Sequence, residues 1–156
     1  MKTFTRISAL VVFILLLAGV ITATPTNAKP APHFRVDGDA GWFATGLTFT
    51  SGDSLSFTAH GRAMTGPLSQ YPDARSNANG QVTICTITAF PFIPCAMEAI
   101  PYGALVGKFG PSGTPFFIGT SLSLTANESG ELFLAVNDND GTYFDNFGGF
   151  MVFVGP

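Results

Sequence analysis

The sequence has few charged residues and no cluster of basic ones. Lys and Arg number 7 against 10 Asp and Glu, and charged residues make up 11% of the 156 positions. A chain without a Lys/Arg cluster lacks the electrostatic footprint of proteins that bind nucleic acid or anionic membranes. We therefore expect neither nucleic acid nor a membrane as the partner of the mature protein.

Hydrophobic runs of membrane-spanning length are also missing. Lys2 and Arg6 precede one apolar run, Ile7–Ile21, which is short for a span and is followed by small residues. This order is typical of a secretory signal peptide. It predicts a signal peptide over 1–23, with cleavage as late as residue 28 as an alternative, and a secreted or periplasmic protein; an uncleaved anchor is the competing interpretation.

The remaining chain has the size of one domain. Residues 24–32 are rich in Pro and Ala and predict a short extended linker, and residues 33–156 predict a single domain with its own core. Without Lys2 and Arg6, five basic side chains face ten acidic ones, 5 − 10 = −5. We expect a mildly acidic surface.

No segment shows a helical stripe. Apolar and polar residues instead alternate at every second position in the segments 54–59, 121–125 and 132–136, which is the period of half-buried β-strands. Gly, Pro and Asn separate these runs at intervals of roughly ten residues, as in all-β folds. The pattern predicts a β-sandwich or barrel, with 68–79 as a long surface loop.

The last apolar run, 150–154, is hydrophobic on both faces. Its Met151 and Phe153 are therefore expected to be covered, either by another sheet layer or by a neighbouring subunit. Homo-oligomerisation would also strengthen weak single-site binding through multivalency.

Cysteine and histidine occur only twice each. Cys85 and Cys95 predict a disulfide in an oxidising compartment, with free thiols or soft-metal ligands as the alternative. His33 and His60 stand without a nucleophile motif, so we expect no enzymatic activity. Trp42 could stack on a sugar, but packing at the start of the first strand is the favoured interpretation.

Most of the chemical information lies in the loop 137–146. Three carboxylates and three side-chain amides fall within these ten positions, between two apolar strands. Calcium takes six to eight oxygen ligands, and a flexible loop of Asp, Asn and carbonyls supplies them. An ordinary hairpin loop with Asn and Asp as turn formers is the alternative. The EF-hand pattern does not fit, and the stricter octahedron of magnesium fits less well.

The residues of this loop resemble the calcium loop of the galactophilic bacterial lectins of the PA-IL (LecA) type. The motif is Asn137-Asp138-x-x-Gly141-Thr142-Tyr143-x-x-Asn146-x-Gly148. Two upstream segments resemble the same family: 103–114, which reads GALVGKFGPSGT, and 59–67, which reads AHGRAMTGP. The resemblance covers nearly the whole domain. It implies a small β-sandwich of the galactose-binding-domain-like jelly-roll type.

The resemblance also implies a set of ligands. Calcium is held in the family by side chains that match Asp138, Asp145 and Asn146. Backbone carbonyls that match Thr142 and Thr65 and two sugar hydroxyls complete the shell. The implied carbohydrate contacts are Asp138, Asn139, Thr142, Asp145, Asn79 and Ser76.

Several positions depart from the family. Asp145 stands where the family has Asn, and Thr65 stands where it has Tyr. The second sugar-contacting loop, Asp73–Gly80, is shorter and has no His. There Asn79 takes the place of the family's Gln, and Ser76 is a weak candidate for the His position. These changes put galactose specificity in doubt and leave the calcium site largely intact.

We therefore expect a calcium-dependent carbohydrate-binding lectin whose bound calcium coordinates galactose-like hydroxyls. The alternative is a structural or adhesive secreted β-sandwich whose calcium only stabilises a loop. A hydrolase is remote, because Asp138 and Asp145 are the acids that a glycosidase would need and calcium is the better use of both.

Overall fold

The fold was analysed in a computed structural model that describes residues 30–66, 75–81, 85 and 95–156. The signal peptide predicted over 1–23 and most of the predicted linker lie outside these residues. Within them the chain forms nine strands and a 3₁₀ turn at Tyr143–Asp145. The strands are β1 (His33–Asp37), β2 (Phe43–Phe49), β3 (Ser54–Met64), β4 (Arg75–Ser76), β5 (Leu105–Phe109), β6 (Phe116–Phe117), β7 (Ser121–Thr125), β8 (Gly130–Val136) and β9 (Phe147–Gly155).

The strands form two antiparallel sheets. The five-stranded sheet has the order β1-β9-β3-β4, and β7 also pairs with β3. Because β3 is 11 residues long, β7 pairs along its first half while β4 pairs at its last two residues. The four-stranded sheet has the order β2-β8-β5-β6. The predicted all-β sandwich is confirmed.

The two sheets bury a shared core. Period-two alternation puts Leu55 and Phe57 of β3 on the same inner face as Phe150 of β9. Leu132 and Leu134 of β8 belong to the same core cluster in the opposite sheet. The alternating segments 121–125 and 132–136 coincide with β7 and β8, so periodicity located these strands correctly.

Two local predictions differ from the structure. The segment 68–79 was expected to be loop, yet Arg75 and Ser76 form β4 by pairing with Met64 and Ala63. A strand of two residues has no period that a sequence pattern could reveal. Trp42 does not begin the first strand, because β1 precedes it and Trp42 lies just before β2.

The last strand, β9, lies in the middle of the five-stranded sheet between β1 and β3. Its inner face is buried, whereas Met151 and Phe153 on the outer face remain 36% and 37% exposed. The expected cover of these two side chains is therefore not provided by the described residues.

The outer face of the four-stranded sheet is covered by the segment 95–101, which we call the cover segment. Ala96 of this segment packs with Val106 of β5 and Ala135 of β8, and Trp42 packs against the same cluster. The Lys108 ammonium lies 4.3 Å from the centre of the Trp42 ring, within the range of a cation–π interaction. Trp42 is thus engaged by packing and by this cation.

We expect Leu134→Ala to lower the free energy of unfolding by about 3 kcal/mol, because Leu134 is fully buried and its truncation leaves a cavity. Met151→Ala, at an exposed position of similar size, is the matched control and should cost below about 1 kcal/mol. Urea denaturation followed by tryptophan fluorescence measures both. Equal losses in the two variants would contradict the assignment of the core.

Candidate functional site

The loop 137–146 joins β8 to β9 and so crosses from one sheet to the other at one end of the sandwich. Asn137, directly after β8, is fully buried. Its Oδ1 accepts a hydrogen bond from the Met97 N–H at 2.8 Å. Its Nδ2 donates to the carbonyls of Met97, Ile100 and Pro101 at 3.0, 3.1 and 3.2 Å. The Asn137 amide therefore anchors the cover segment to the start of the loop through hydrogen bonds.

A disulfide reinforces the same junction. Cys85 and Cys95 are bonded, which confirms the predicted pairing. Cys95 forms a β-bridge with Asn139, and the Ala96 N–H donates to the Asp138 carbonyl at 2.9 Å. The backbone of Asp138 and Asn139 is thus hydrogen-bonded to the start of the cover segment.

Asn139 points toward the disulfide. Its Oδ1 lies 3.1 Å from the sulfur of Cys85 and 3.4 Å from that of Cys95, and it accepts a hydrogen bond from the Tyr102 hydroxyl at 3.2 Å. A disulfide sulfur carries no hydrogen, so the two sulfur distances are packing contacts. Asn139 was predicted to line the sugar pocket, and its side chain is buried among these groups.

Asp138 is buried in the centre of the loop, and its Oδ1 accepts a hydrogen bond from the Asn139 N–H at 2.8 Å. Burial raises the pKa of the Asp138 carboxyl above its ordinary value, and the negative charge of Asp145 adds to that shift. The Asn139 N–H and the approaching side chains of Asn146 and Thr142 oppose it. Asp138, Thr142, Asp145 and Asn146 are therefore near neighbours in space.

The 3₁₀ turn brings Asp145 back toward Asp138. The Thr142 hydroxyl and N–H both donate to the Asn139 carbonyl, at 2.8 and 3.1 Å, and the Asp145 N–H donates to the Thr142 carbonyl at 3.3 Å. Asp145 Oδ1 is buried and has no hydrogen-bond partner in the described part of the chain. A buried carboxylate oxygen without a partner is costly, so this atom is suited to a cation.

Asn146 connects the loop to the end of β3. Its Nδ2 donates to the Gly38 carbonyl at 3.1 Å, and its Oδ1 accepts from the Gly66 N–H, also at 3.1 Å. Thr65, next to Gly66, is buried, and its hydroxyl accepts a hydrogen bond from the Gln81 amide. The five predicted metal ligands thus come from two chain segments that the fold joins through Asn146.

These residues suit a hard divalent cation. Asp138 and Asp145 offer carboxylates, Asn146 offers an amide, and Thr65 and Thr142 offer backbone carbonyls. No group of three or more His, Cys, Asp or Glu positioned to hold a metal occurs among the described residues. An all-oxygen set with two carboxylates and several neutral oxygens suits calcium and is unlike the N/S sets that zinc selects.

The second predicted sugar loop is placed differently. Asn79 Oδ1 accepts a hydrogen bond from the Thr120 N–H at 2.9 Å, next to β7. Ser76 is buried in β4, and its hydroxyl has no partner within the described residues. A Cβ on Gly103 would lie 2.7 Å from that hydroxyl, so the space beside Ser76 depends on glycine at 103. Within the described residues neither side chain forms a hydrogen bond with the loop 137–146, and their sugar contacts stay predictions.

Tyr143 is a loop residue for which the sequence analysis predicts no role. Its ring packs beside Gly41, and its hydroxyl lies 3.5 Å from the Asp138 carbonyl. Burial and the negative charges of Asp140 and Asp138 raise the pKa of the Tyr143 phenol, so it stays neutral. Tyr143 thus supports the loop from the side of the β1–β2 connection.

A known protein family and a solved structure resemble this domain. A family model described as "PA-IL-like protein" matches residues 35–156. The chain belongs to the PA-IL-like family. A solved structure titled "EclA N-terminal domain; PllA-like lectin" shares 22% sequence identity with this PA-IL-like chain, covers 78% of it and 92% of its own chain, and superposes with a TM-score of 0.59. At that identity the likeness shows the fold. None of the curated proteins compared matches the chain.

In this PA-IL-like domain we expect Asn137→Asp to lower the free energy of unfolding by about 3 kcal/mol. A carboxylate would remove the donor and face three carbonyls in a fully buried site. Asn127→Asp, at an exposed position, is the matched control and should be near neutral. Urea denaturation measures the free energy of unfolding of both variants. An unchanged value in Asn137→Asp would show that the amide does not anchor the cover segment.

Proposed function

We propose that the protein is a calcium-dependent lectin that binds galactose-like sugars through hydroxyls coordinated to a loop-bound calcium ion. The side chains of Asp138, Asp145 and Asn146 and the carbonyls of Thr65 and Thr142 would hold the ion. One observation carries the proposal. Asp138 and Asp145 converge in a buried site where Asp145 Oδ1 has no partner within the described residues. A divalent cation would neutralise both carboxylates at once.

The ion also explains how such a site would recognise a sugar. A calcium ion accepts more oxygen ligands than the five groups of the protein supply, so coordination positions remain for hydroxyls. Two neighbouring hydroxyls bound to one ion have a fixed relative orientation, and the carboxylates can accept their protons in charge-assisted hydrogen bonds. Selectivity among sugars then follows from the arrangement of adjacent hydroxyls.

The family and its lectin relative support carbohydrate as the ligand class, and galactose is the sugar that the loop motif favours. Binding of this kind breaks no bond, so we propose a binding protein without catalytic activity. The disulfide suits an oxidising compartment, in line with a secreted or periplasmic location. Among the described residues no helix is long and apolar enough to cross a membrane.

A second candidate is a secreted structural or adhesive domain whose calcium only stabilises the loop. The position of Asn79 favours this candidate, because its Oδ1 is already bonded to the Thr120 backbone and not presented to a ligand at the loop. The two candidates share the calcium site and differ in whether a sugar completes it.

We expect Asp138→Asn to weaken calcium binding at least about tenfold, because a buried charged ligand becomes neutral. Asp140→Asn is the matched control: Asp140 lies in the same loop but is exposed and outside the proposed ligand set, so its affinity should stay within about twofold. Isothermal titration calorimetry with calcium measures both. Equal losses would mean that the loop attracts the ion only through its net charge.

We expect calorimetry with galactose to show saturable binding in calcium and none in excess chelator. Glucose, with a different arrangement of adjacent hydroxyls, serves as the control sugar. Binding that persists unchanged in chelator would refute the metal bridge. A melting temperature that rises with calcium, together with no response on a glycan array, would establish the loop-stabilising candidate instead.

A further inference from the structure

Basic side chains that are scattered through the sequence gather on one surface of the fold. Of the seven Lys and Arg residues, four lie in the described part of the chain: Arg35, Arg62, Arg75 and Lys108. The three arginines are exposed and belong to β1, β3 and β4 of the five-stranded sheet. Lys108 is in the other sheet and lies over Trp42.

Strand register puts the three arginines on the same side of their sheet. Arg35 pairs with Met151 of β9, which in turn pairs with His60 of β3. Arg62 follows His60 by two positions and therefore shares its face. Arg75 pairs with Met64, which follows Arg62 by two positions, so Arg75 lies on that face as well. This side is turned away from the core, and we call it the outer basic face.

One end of the outer basic face is apolar. Phe153 is 37% exposed, and both histidines of the protein contact it: the ring of His33 stacks on it at 5.6 Å between centroids, and the ring of His60 meets it edge-on at 6.1 Å. Met151 lies beside Phe153 on the same face, 36% exposed. The surface therefore joins an apolar end to arginines that lie farther along the sheet.

The charge of this face is opposite to that of the other described residues. Three arginines against Asp37 give 3 − 1 = +2 on the face, whereas Lys108 against the eight other described acids gives 1 − 8 = −7 elsewhere. Arg35 forms a salt bridge with Asp37 at 2.6 Å. Arg62 and Arg75 form no salt bridge within the described residues, so their guanidinium groups are available to a ligand.

We propose that the outer basic face binds an acidic polysaccharide, with its carboxylates on Arg62 and Arg75 and the C–H faces of its sugar rings on Phe153 and Met151. Guanidinium groups bind carboxylates through paired hydrogen bonds, and aromatic rings pack well against the apolar faces of sugars. This site lies on the outer side of a sheet, with Phe153 at the end of β9 away from the loop 137–146 and Arg75 near the end of β3 that meets the loop. Its contacts with the polysaccharide require no calcium.

Other partners fit this surface less well. A face-to-face homodimer would place two positive faces against each other. An anionic membrane would require side chains that insert, yet Phe153 lies between two histidine rings and Met151 is only partly exposed.

The test measures binding of the mature chain to immobilised hyaluronan by surface plasmon resonance in the presence of chelator, with neutral dextran as the control polymer. We expect salt-sensitive binding to hyaluronan and none to dextran. Arg62→Gln combined with Arg75→Gln should weaken hyaluronan binding at least about tenfold, and Lys108→Gln, which removes a cation from the other sheet, less than about twofold. Arg62→Gln alone provides a second variant, and its melting temperature should match the wild type.

Four results would overturn the proposal: no hyaluronan binding by the wild type in chelator, an equal loss in the Lys108→Gln variant, equal binding of dextran, or tighter binding of single-stranded DNA or anionic vesicles. The outcome is independent of the calcium site. Asp138→Asn should leave hyaluronan binding in chelator intact.

Discussion

The Asn137 amide forms four hydrogen bonds with the cover segment, and the geometry of the loop 137–146 depends on them. The loop leaves one sheet and enters the other, so without an anchor its carboxylates would have no fixed position relative to Thr65. The anchor is polar and fully buried. Such a group stabilises one conformation strongly because every alternative leaves its donors and acceptors unpaired. The disulfide and the backbone bond from Ala96 to Asp138 then act on a segment that is already in place.

Much of the fold could be read from the sequence, because period-two alternation reports directly which side of a strand is buried. The strands β3, β7 and β8 follow this rule, and the disulfide followed from cysteine number and compartment. Short strands such as β4 escape it, since two residues contain no period. The loop 137–146 was identified as the candidate site by its resemblance to a lectin family. That resemblance rests on the spacing of residues in a motif, which composition alone does not describe.

The sequence could not reveal the role of Asn137 or the grouping of the arginines. Asn is a common turn residue, and nothing local distinguishes an exposed turn amide from one that is buried under a segment some 40 residues earlier in the chain. Arg35, Arg62 and Arg75 are likewise far apart along the chain, and only the pairing of β1, β9, β3 and β4 places them together. Both features depend on long-range register, which alternation within one strand does not encode.

The central place of β9 sets an order of events in folding. β9 is the last of the nine strands, yet it joins the first strand, β1, to β3 in the middle of the five-stranded sheet. A nascent chain can therefore pair β2 with β8 and β5 with β8 before it can complete the other sheet. Contacts between such distant segments slow folding. The five-stranded sheet can therefore close only once the final strand has been synthesised.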